Sequence, residues 1–419
     1  MLEIKLFREN KQYIIDGLLK KNFKNIQLVD EVIKLDEEIR KVKLESETFT
    51  ATLNQNSNQI PKFLNSDPEK VKNLKSHNLI LKEKIGELNE SLAQKEEEIT
   101  NLLVLFPNLP HTSVLEDNGD ETTNGNIVIK QCDVTETKNL VPHWELIKKY
   151  NLINFDLGSK ITGAGFPVYI GKGAKLQRAL IQYFIDYNTN AGYTEFNVPH
   201  LVNYDSAYGT GQLPDKDGQM YYSDKDNLYL IPTAEVPLTN LYRDTIVENL
   251  PLKLTGYTPC FRRESGSYGK DVRGLNRLHQ FDKVEIVQIV NPEESYTILE
   301  EMVKHVEGLL ISLNLPYRIL KLSSTDMSFA SALTYDFEVW SAGQQRWLEV
   351  SSVSNFETFQ SNRMKIRYKD GKKNKLTHTL NGSSLALPRI MAALLENNYT
   401  GDKIIMPEVL QKYFNECIE

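Results

Sequence analysis

The chain has little cysteine and no long apolar run. Three cysteines, Cys132, Cys260 and Cys417, are scattered through 419 residues. They are too few and too far apart for a disulfide framework or a zinc knuckle, and they suit a reducing cytoplasm. No stretch of about 18 consecutive apolar residues occurs, so no transmembrane helix is expected. The opening MLEIKLFRENKQYI is charged from its third residue and has no apolar core before a cleavage site, so no signal peptide is expected. Familiar nucleotide and hydrolase signatures are missing too. GKGAK at 171–175 does not complete a Walker A loop, and Leu176 stands where a GxGxxG fingerprint needs its third glycine. No pair among the seven histidines has metal-ligand spacing on one helix, and no G-x-S-x-G elbow occurs.

What is present is a globular composition, 40% hydrophobic and 25% charged, long enough for two or three domains. A formal net charge of −7 argues against sequence-blind coating of nucleic acid. Against that background one segment stands out. PCFRRESGSYGKDVRGLNRLHQFDKVE, residues 259–285, carries Arg262, Arg263, Arg273 and Arg277 among glycines. Four guanidinium groups so close repel one another. Either an anionic group offsets the repulsion, or the side chains spread over two faces and are solvated.

Residues 28–106 show the clearest periodicity. Leu28, Val32, Leu35, Ile39 and Val42 alternate steps of four and three, and the register continues through Ser46, Phe49, Leu53, Asn56 and Ile60. A second run does the same through Val71, Leu74, Asn78, Leu81, Ile85, Leu88, Leu92, Lys95, Ile99, Leu102 and Phe106. A 3.5-residue repeat is a coiled-coil seam. LNSDP at 64–68 separates the halves with a turn and a proline suited to a helix start, which predicts an antiparallel helical hairpin. Each helix would reach roughly 55 Å at ~1.5 Å per residue. Such an arm can be a spacer or a dimerisation element. Lys62, Lys70, Lys72, Lys75 and His77 crowd its tip, where a phosphate backbone could touch; they could equally be a solvated face. FPNLPH at 106–111 stops the helix, and the polar EDNGDETTNGN at 116–126 reads as a mobile loop.

The rest of the chain mixes helices and strands, and four local patterns carry chemistry. In GAKLQRALIQYFIDYNTNAGYTEFNVP, 173–199, Leu176, Ala179, Leu180, Tyr183, Phe184 and Tyr187 make an amphipathic helix that Gly192 ends. A short strand then runs to Pro199. The arginine-rich segment reads as strand, glycine-rich loop, strand, able to close over a polyphosphate. QRWLEVSSVSNFETFQSNR, 345–363, reads as strand with Glu349 and Ser352 on its polar side. THTLNGSSLALPRIMAALLEN, 377–397, reads as a strand, then Pro388 at a helix start and Arg389 in the first turn. The helix dipole disfavours a cation there, so an anionic partner is expected for Arg389.

In this order the first, second and fourth patterns resemble motifs 1, 2 and 3 of the class II aminoacyl-tRNA synthetases. MLEIKLFREN, the hairpin, TAEVPL at 233–238, GSYGKDVRGLNRLHQFDKVE and HTLNGSSLA make the chain similar to the seryl-tRNA synthetases of the bacterial type over nearly its whole length. The resemblance implies an α+β fold. An antiparallel-sheet class II catalytic domain with helices, 111–419, would follow an N-terminal tRNA-binding domain, 1–110, whose arm spans about 28–106. It implies activation of L-serine by ATP and transfer of serine to the 3′ end of tRNA(Ser), with tRNA(Sec) allowed as a second acceptor. It implies Mg²⁺ and no zinc, a cytoplasmic homodimer formed through motif 1, and no membrane. The arm would grip the tRNA by shape and backbone. Two other readings are a ligase that loads a carrier protein and a coiled-coil protein with a decayed catalytic body. The arm counts against the first, and intact Arg262, Glu264, Glu285, Glu349 and Arg389 against the second.

Carried over residue by residue, the resemblance assigns Arg262 to the α-phosphate, Glu264 to the adenine end, Phe281 to stacking on the base and Arg389 to the γ-phosphate. Arg263, Leu278, Val350 and Ser351 join that ATP site with Glu349 and Ser352, and these last two bind magnesium. Thr233, Ala234, Glu235, Glu285 and Ser383 form the serine site. Ser265, Arg263 and Ser384 depart from the commonest family wording, and the 116–126 loop is longer than usual.

Overall fold

A computed structural model describes residues 1–117, 119–120, 122–134, 140–215, 217–264 and 273–419. The chain forms two compact units, Leu2–Pro107 and Asn108–Glu419 together with Met1. Most of the glycine-rich loop, 265–272, lies outside the described residues.

The smaller unit opens with two short helices, α1 (Ile4–Glu9) and α2 (Lys11–Lys20), followed by the two long ones, α3 (Leu28–Phe63) and α4 (Pro68–Leu103). Every seam position from Val32 onward is buried or half-buried, including Ser46, Phe49 and Leu53. Pairs between the helices run antiparallel: Lys95 to Glu38 at 2.6 Å, Ser46 to Asn89 at 3.2 Å, and Asn56 Nδ2 to Asn78 Oδ1 at 3.0 Å. The last pair is buried amide on amide within an apolar seam. It gives up some apolar burial but pairs well in only one register. At the tip, Asp67 caps α4 by accepting the Lys70 N–H, and Pro68 occupies the first turn, where its missing N–H costs nothing.

The larger unit is built on an eight-stranded sheet. Its strands are β1 (Ile127–Gln131), β2 (Thr194–Glu195), β3 (Leu252–Phe261), β4 (Gln280–Val290), β5 (Tyr317–Lys321), β6 (Leu333–Ser341), β7 (Arg346–Asn355) and β8 (His378–Ala386). They lie in the order β1-β5-β6-β7-β8-β4-β3-β2. Every neighbouring pair is antiparallel except β2 with β3. Among the helices are α5 (Lys172–Asn190), α6 (Glu235–Asn240), α7 (Ser295–Ser312), α8 (Phe359–Met364) and α9 (Leu387–Asn397). The core of the unit joins Leu176, Leu180 and Phe184 of α5, Met302 and Val306 of α7 and Ile390 and Leu394 of α9 with the inward residues of the sheet. Side chains alternate along a strand. On β4, Val284 and Ile286 therefore enter this core, while Phe281, Lys283 and Glu285 face a cavity on the other side.

Two expectations need correction. The strand read over 345–363 stops at Asn355, and Phe359–Met364 is helix, because Phe359, Gln360, Ser361, Arg363 and Met364 are all buried together. The segment 116–126 reads as a mobile loop, yet its end is pinned: Asn126 is buried, donates to Asp326 at 2.7 Å and accepts the Ser323 N–H at 2.8 Å. Among the described residues, no helix is long and apolar enough to cross a membrane.

Candidate active site

The cavity on the open face of the sheet has a volume of about 700 Å³, within the usual range for small-ligand sites. Distant segments supply its walls. Thr233 and Glu235 enter from the start of α6, Arg262 and Glu264 from the end of β3, and Leu278, Phe281 and Glu285 from the return into β4. Glu349, Val350, Ser351 and Ser352 come from β7, Ser383 from β8 and Arg389 from α9. Glu349 and Ser352 are three apart, which in a regular strand puts them on opposite faces. β7 carries one extra residue here: Phe337 pairs with Ser351 but Glu338 pairs with Glu349. That bulge turns both side chains toward the cavity.

One end of the cavity is acidic and closed. Glu285 is buried, and its Oε2 accepts from Thr233 Oγ1 at 3.1 Å and lies 2.7 Å from Lys283 Nζ; Ser383 Oγ lies 3.5 Å from the same oxygen. Glu285 and Ser383 are cross-strand partners in the β4–β8 ladder, so the sheet itself sets this grouping. Glu235 is buried, and its Oε1 accepts from Gln360 Nε2 at 2.6 Å. Gln360 is held in turn by Thr379 Oγ1 at 2.7 Å. Burial pushes the Glu235 carboxyl up to about 7, with the Gln360 hydrogen bond opposing and the Glu285 charge reinforcing that shift. Sequence reasoning missed Lys283 and Gln360. The period-two spacing 281, 283, 285 could have found Lys283; nothing local marks Gln360.

Arg262, Arg277 and Arg389 line the same cavity, Arg262 near enough to Glu235 for its charge to favour that carboxylate. Arg262 Nε donates to the Pro232 carbonyl at 3.3 Å, and its guanidinium lies 5.2 Å from the Phe281 ring centroid. Arg389 Nε donates to the Asn276 carbonyl at 3.0 Å and Nη1 to the Glu349 carbonyl at 2.6 Å, with Glu349 Oε2 at 3.7 Å. The anionic partner expected for Arg389 is therefore Glu349, in part. The crowd of arginines resolves into separate pairings. Arg277 meets Glu264 at 2.8 Å, and Arg273 lies 4.6 Å over Trp144 and 3.5 Å from Glu145. Arg263 does not line the cavity. It bonds the Met220 carbonyl at 3.1 Å and lies 4.9 Å over Tyr221. Ala234 does not line it either, being fully buried against Leu238, Leu254 and Val287.

Among the described residues no group of three or more Asp, Glu, His or Cys side chains is placed to hold a metal ion, but the donors beside Glu349 are of the kind a hard cation prefers. They are oxygens only, and Asp336, cross-strand from Ser352, has an Oδ1 with no solvent contact and no hydrogen-bond partner. Burial, then the Glu349 charge, raises the Asp336 carboxyl well above the usual carboxylate range. An added positive charge there would relieve both.

Residues 1–110 match the model of the seryl-tRNA synthetase N-terminal domain, and residues 220–398 that of the class II tRNA synthetase core domain for G, H, P, S and T. The chain is 48% identical over 423 residues to the serine–tRNA ligase of Methylacidiphilum infernorum, covering 99% of each. It is 46% identical to that of Salinibacter ruber, covering 99% of this chain and 98% of the other. A crystal structure of seryl-tRNA synthetase from Pyrococcus horikoshii complexed with ATP superposes with a TM-score of 0.91 at 31% identity, covering 100% of this chain and 99% of that one. With this cavity, this sheet and this likeness along the whole chain, the protein belongs to the seryl-tRNA synthetase family.

Proposed function

We propose that the chain activates L-serine with ATP and then charges tRNA(Ser). A serine carboxylate oxygen attacks the α-phosphorus, the bond to the bridging α–β oxygen breaks, and pyrophosphate leaves. The terminal ribose hydroxyl of the tRNA then attacks the carbonyl of seryl-adenylate and releases AMP. Little covalent chemistry falls to the protein, so its contribution is placement and charge stabilisation.

The observation that carries this reading is the convergence of Arg262, Glu285 and Arg389, from three separate segments, on one cavity lined by both cationic and acidic side chains. Arg262 grips the α-phosphate, where a planar fork can donate two parallel hydrogen bonds. Phe281 offers its ring to the base beside Glu264, and Arg389 holds the γ-phosphate. The closed end takes the amino acid. Glu235 and Glu285 receive its ammonium and hydroxyl donors, with Thr233 and Ser383 completing the pocket. Alanine would leave those buried acceptors unpaired, a discrimination on the order of 10⁴. Glu349 and Ser352 would hold magnesium, which supplies charge neutralisation on the phosphates.

Residues 1–110 serve as the tRNA-binding domain, with the 28–106 hairpin on the tRNA, and 111–419 as the catalytic domain. The protein works in the cytoplasm as a homodimer formed through motif 1. The test is ATP–pyrophosphate exchange across all the amino acids, then aminoacylation of tRNA(Ser) with and without the arm. Serine alone should support exchange, and arm deletion should abolish charging while exchange persists. Exchange with a different amino acid would overturn the reading.

A further inference from the structure

We propose that His143 and Glu396, which touch neither substrate in the reading above, are positioning residues that fasten the return segment Gly274–Asn276 and so set Arg389 for ATP. This rests on that reading of the ATP site. Both residues are sealed from solvent: His143 is 0% and Glu396 1% exposed. Glu396 accepts on both oxygens. Oε1 takes the His143 backbone N–H at 2.8 Å and lies 2.7 Å from His143 Nδ1; Oε2 takes the Gly343 N–H at 3.0 Å and the Ser341 hydroxyl. Burial alone would push this carboxyl up, but the donors, His143 foremost, hold it below the usual range.

An ionised carboxylate can only accept, so His143 Nδ1 carries a proton toward it. The other ring nitrogen, Nε2, takes the Leu275 backbone N–H at 2.9 Å. It can do so only without a proton, so the ring is the neutral Nδ1–H tautomer. The carboxylate fixes the tautomer, and the tautomer captures the backbone. Gly274 has φ +68°, and a Cβ there would sit 2.3 Å from His143 Nε2, so only glycine lets the segment approach so closely. Two residues further on, the Asn276 carbonyl accepts from Arg389 Nε at 3.0 Å. Arg389 and Glu396 are seven residues apart on the same helix, α9. The helix therefore holds the segment twice: once directly through Arg389, and once through the histidine.

Asn supplies a donor in the place of Nδ1 but no acceptor in the place of Nε2. His143→Asn should keep the bond to Glu396 and lose the one to Leu275. In the full-length protein its KM for ATP in pyrophosphate exchange should rise roughly tenfold, as loss of one buried hydrogen bond implies. KM for serine should stay within about twofold, a split that general loosening of the fold would not produce. An unchanged KM for ATP, or equal rises in both KM values, would overturn the inference. Should that variant not fold, the unsubstituted protein decides. Nitrogen chemical shifts of selectively labelled histidine should show His143 neutral and protonated on Nδ1. A proton on Nε2, or on both nitrogens, at neutral pH refutes the arrangement. Failure of the underlying ATP reading looks different: exchange would then not saturate with ATP in the unsubstituted protein.

Discussion

The Arg262 guanidinium lies 5.2 Å from the centroid of the Phe281 ring, and the Arg262 backbone N–H donates to the His279 carbonyl at 2.9 Å. The cation and the ring sit where β3 ends and β4 begins, on facing strands of one ladder. On the proposed reading, the sheet fixes the distance between a phosphate grip and a base platform before any nucleotide arrives. Such preorganisation costs nothing at the moment of reaction.

Arg262→Ala should therefore lower serine-dependent pyrophosphate exchange by roughly 10³-fold or more, the scale of removing a transition-state charge donor. Arg262 is half-buried and its Nε bonds a carbonyl, so the thermal midpoint should move by only a few degrees. Arg262→Lys should recover little, because an ammonium cannot donate in parallel. Exchange at the unsubstituted rate in Arg262→Ala would remove the phosphate role.

If Glu235 receives serine's ammonium as proposed, serine binding should depend on pH. Its carboxyl, pushed up to about 7 by burial, is neutral below that pH and ionised above it. Serine's ammonium pairs with the ionised form, so kcat/KM for serine at saturating ATP should climb between pH 6 and 8 and then level off. Gln360→Ala removes the hydrogen bond that favours ionisation, so the midpoint should move upward. A flat profile from pH 6 to 8 would contradict the assignment.

The arm and the two strands of motif 2 were legible in the sequence because each follows a local rule: a 3.5-residue seam in one, and two strand runs bounded by glycines in the other. Even the polar seam positions Asn56 and Asn78 were found by register alone. The β7 region was less legible. Polarity continues to alternate past Asn355, so a buried helix, Phe359–Met364, looked like more strand. Glu349 and Ser352 share a face only because of a bulge, and a bulge depends on the partner strand. Gln360 and the His143–Glu396 pair act across gaps of more than a hundred residues, where periodicity carries no signal. Arg263 shows the converse: its neighbour Arg262 reaches the cavity, while its own side chain turns to Tyr221.

The arm should respond to salt. Lys62, Lys72 and Lys75 are exposed near the hairpin tip, whereas Lys70 lies 3.7 Å over the Phe63 ring and is better left in place. Replacing the three exposed lysines with Gln should raise KM for tRNA(Ser) and reduce the slope of log affinity against log salt. The reduction should be up to about 0.7–0.9 for each phosphate that the arm no longer neutralises. Pyrophosphate exchange, which involves no tRNA, should not change. An unaltered salt slope would mean that the tRNA backbone meets the protein elsewhere.

Glu349→Gln sets two effects against each other. Losing the charge weakens the 3.7 Å pair with Arg389, whose carboxylate side is half exposed and worth at most about 1 kcal/mol. That would free Arg389 slightly for phosphate and tighten ATP. The same change removes an anionic oxygen from the proposed magnesium ligand set, and even altering a residue behind such ligands costs roughly 10–100-fold in affinity. The second effect is the larger. The Mg²⁺ concentration for half-maximal exchange should therefore rise at least tenfold, and Mn²⁺ titrated with ATP and followed by electron paramagnetic resonance should bind more weakly. A lower magnesium requirement in this variant would mean that Glu349 acts only as the partner of Arg389.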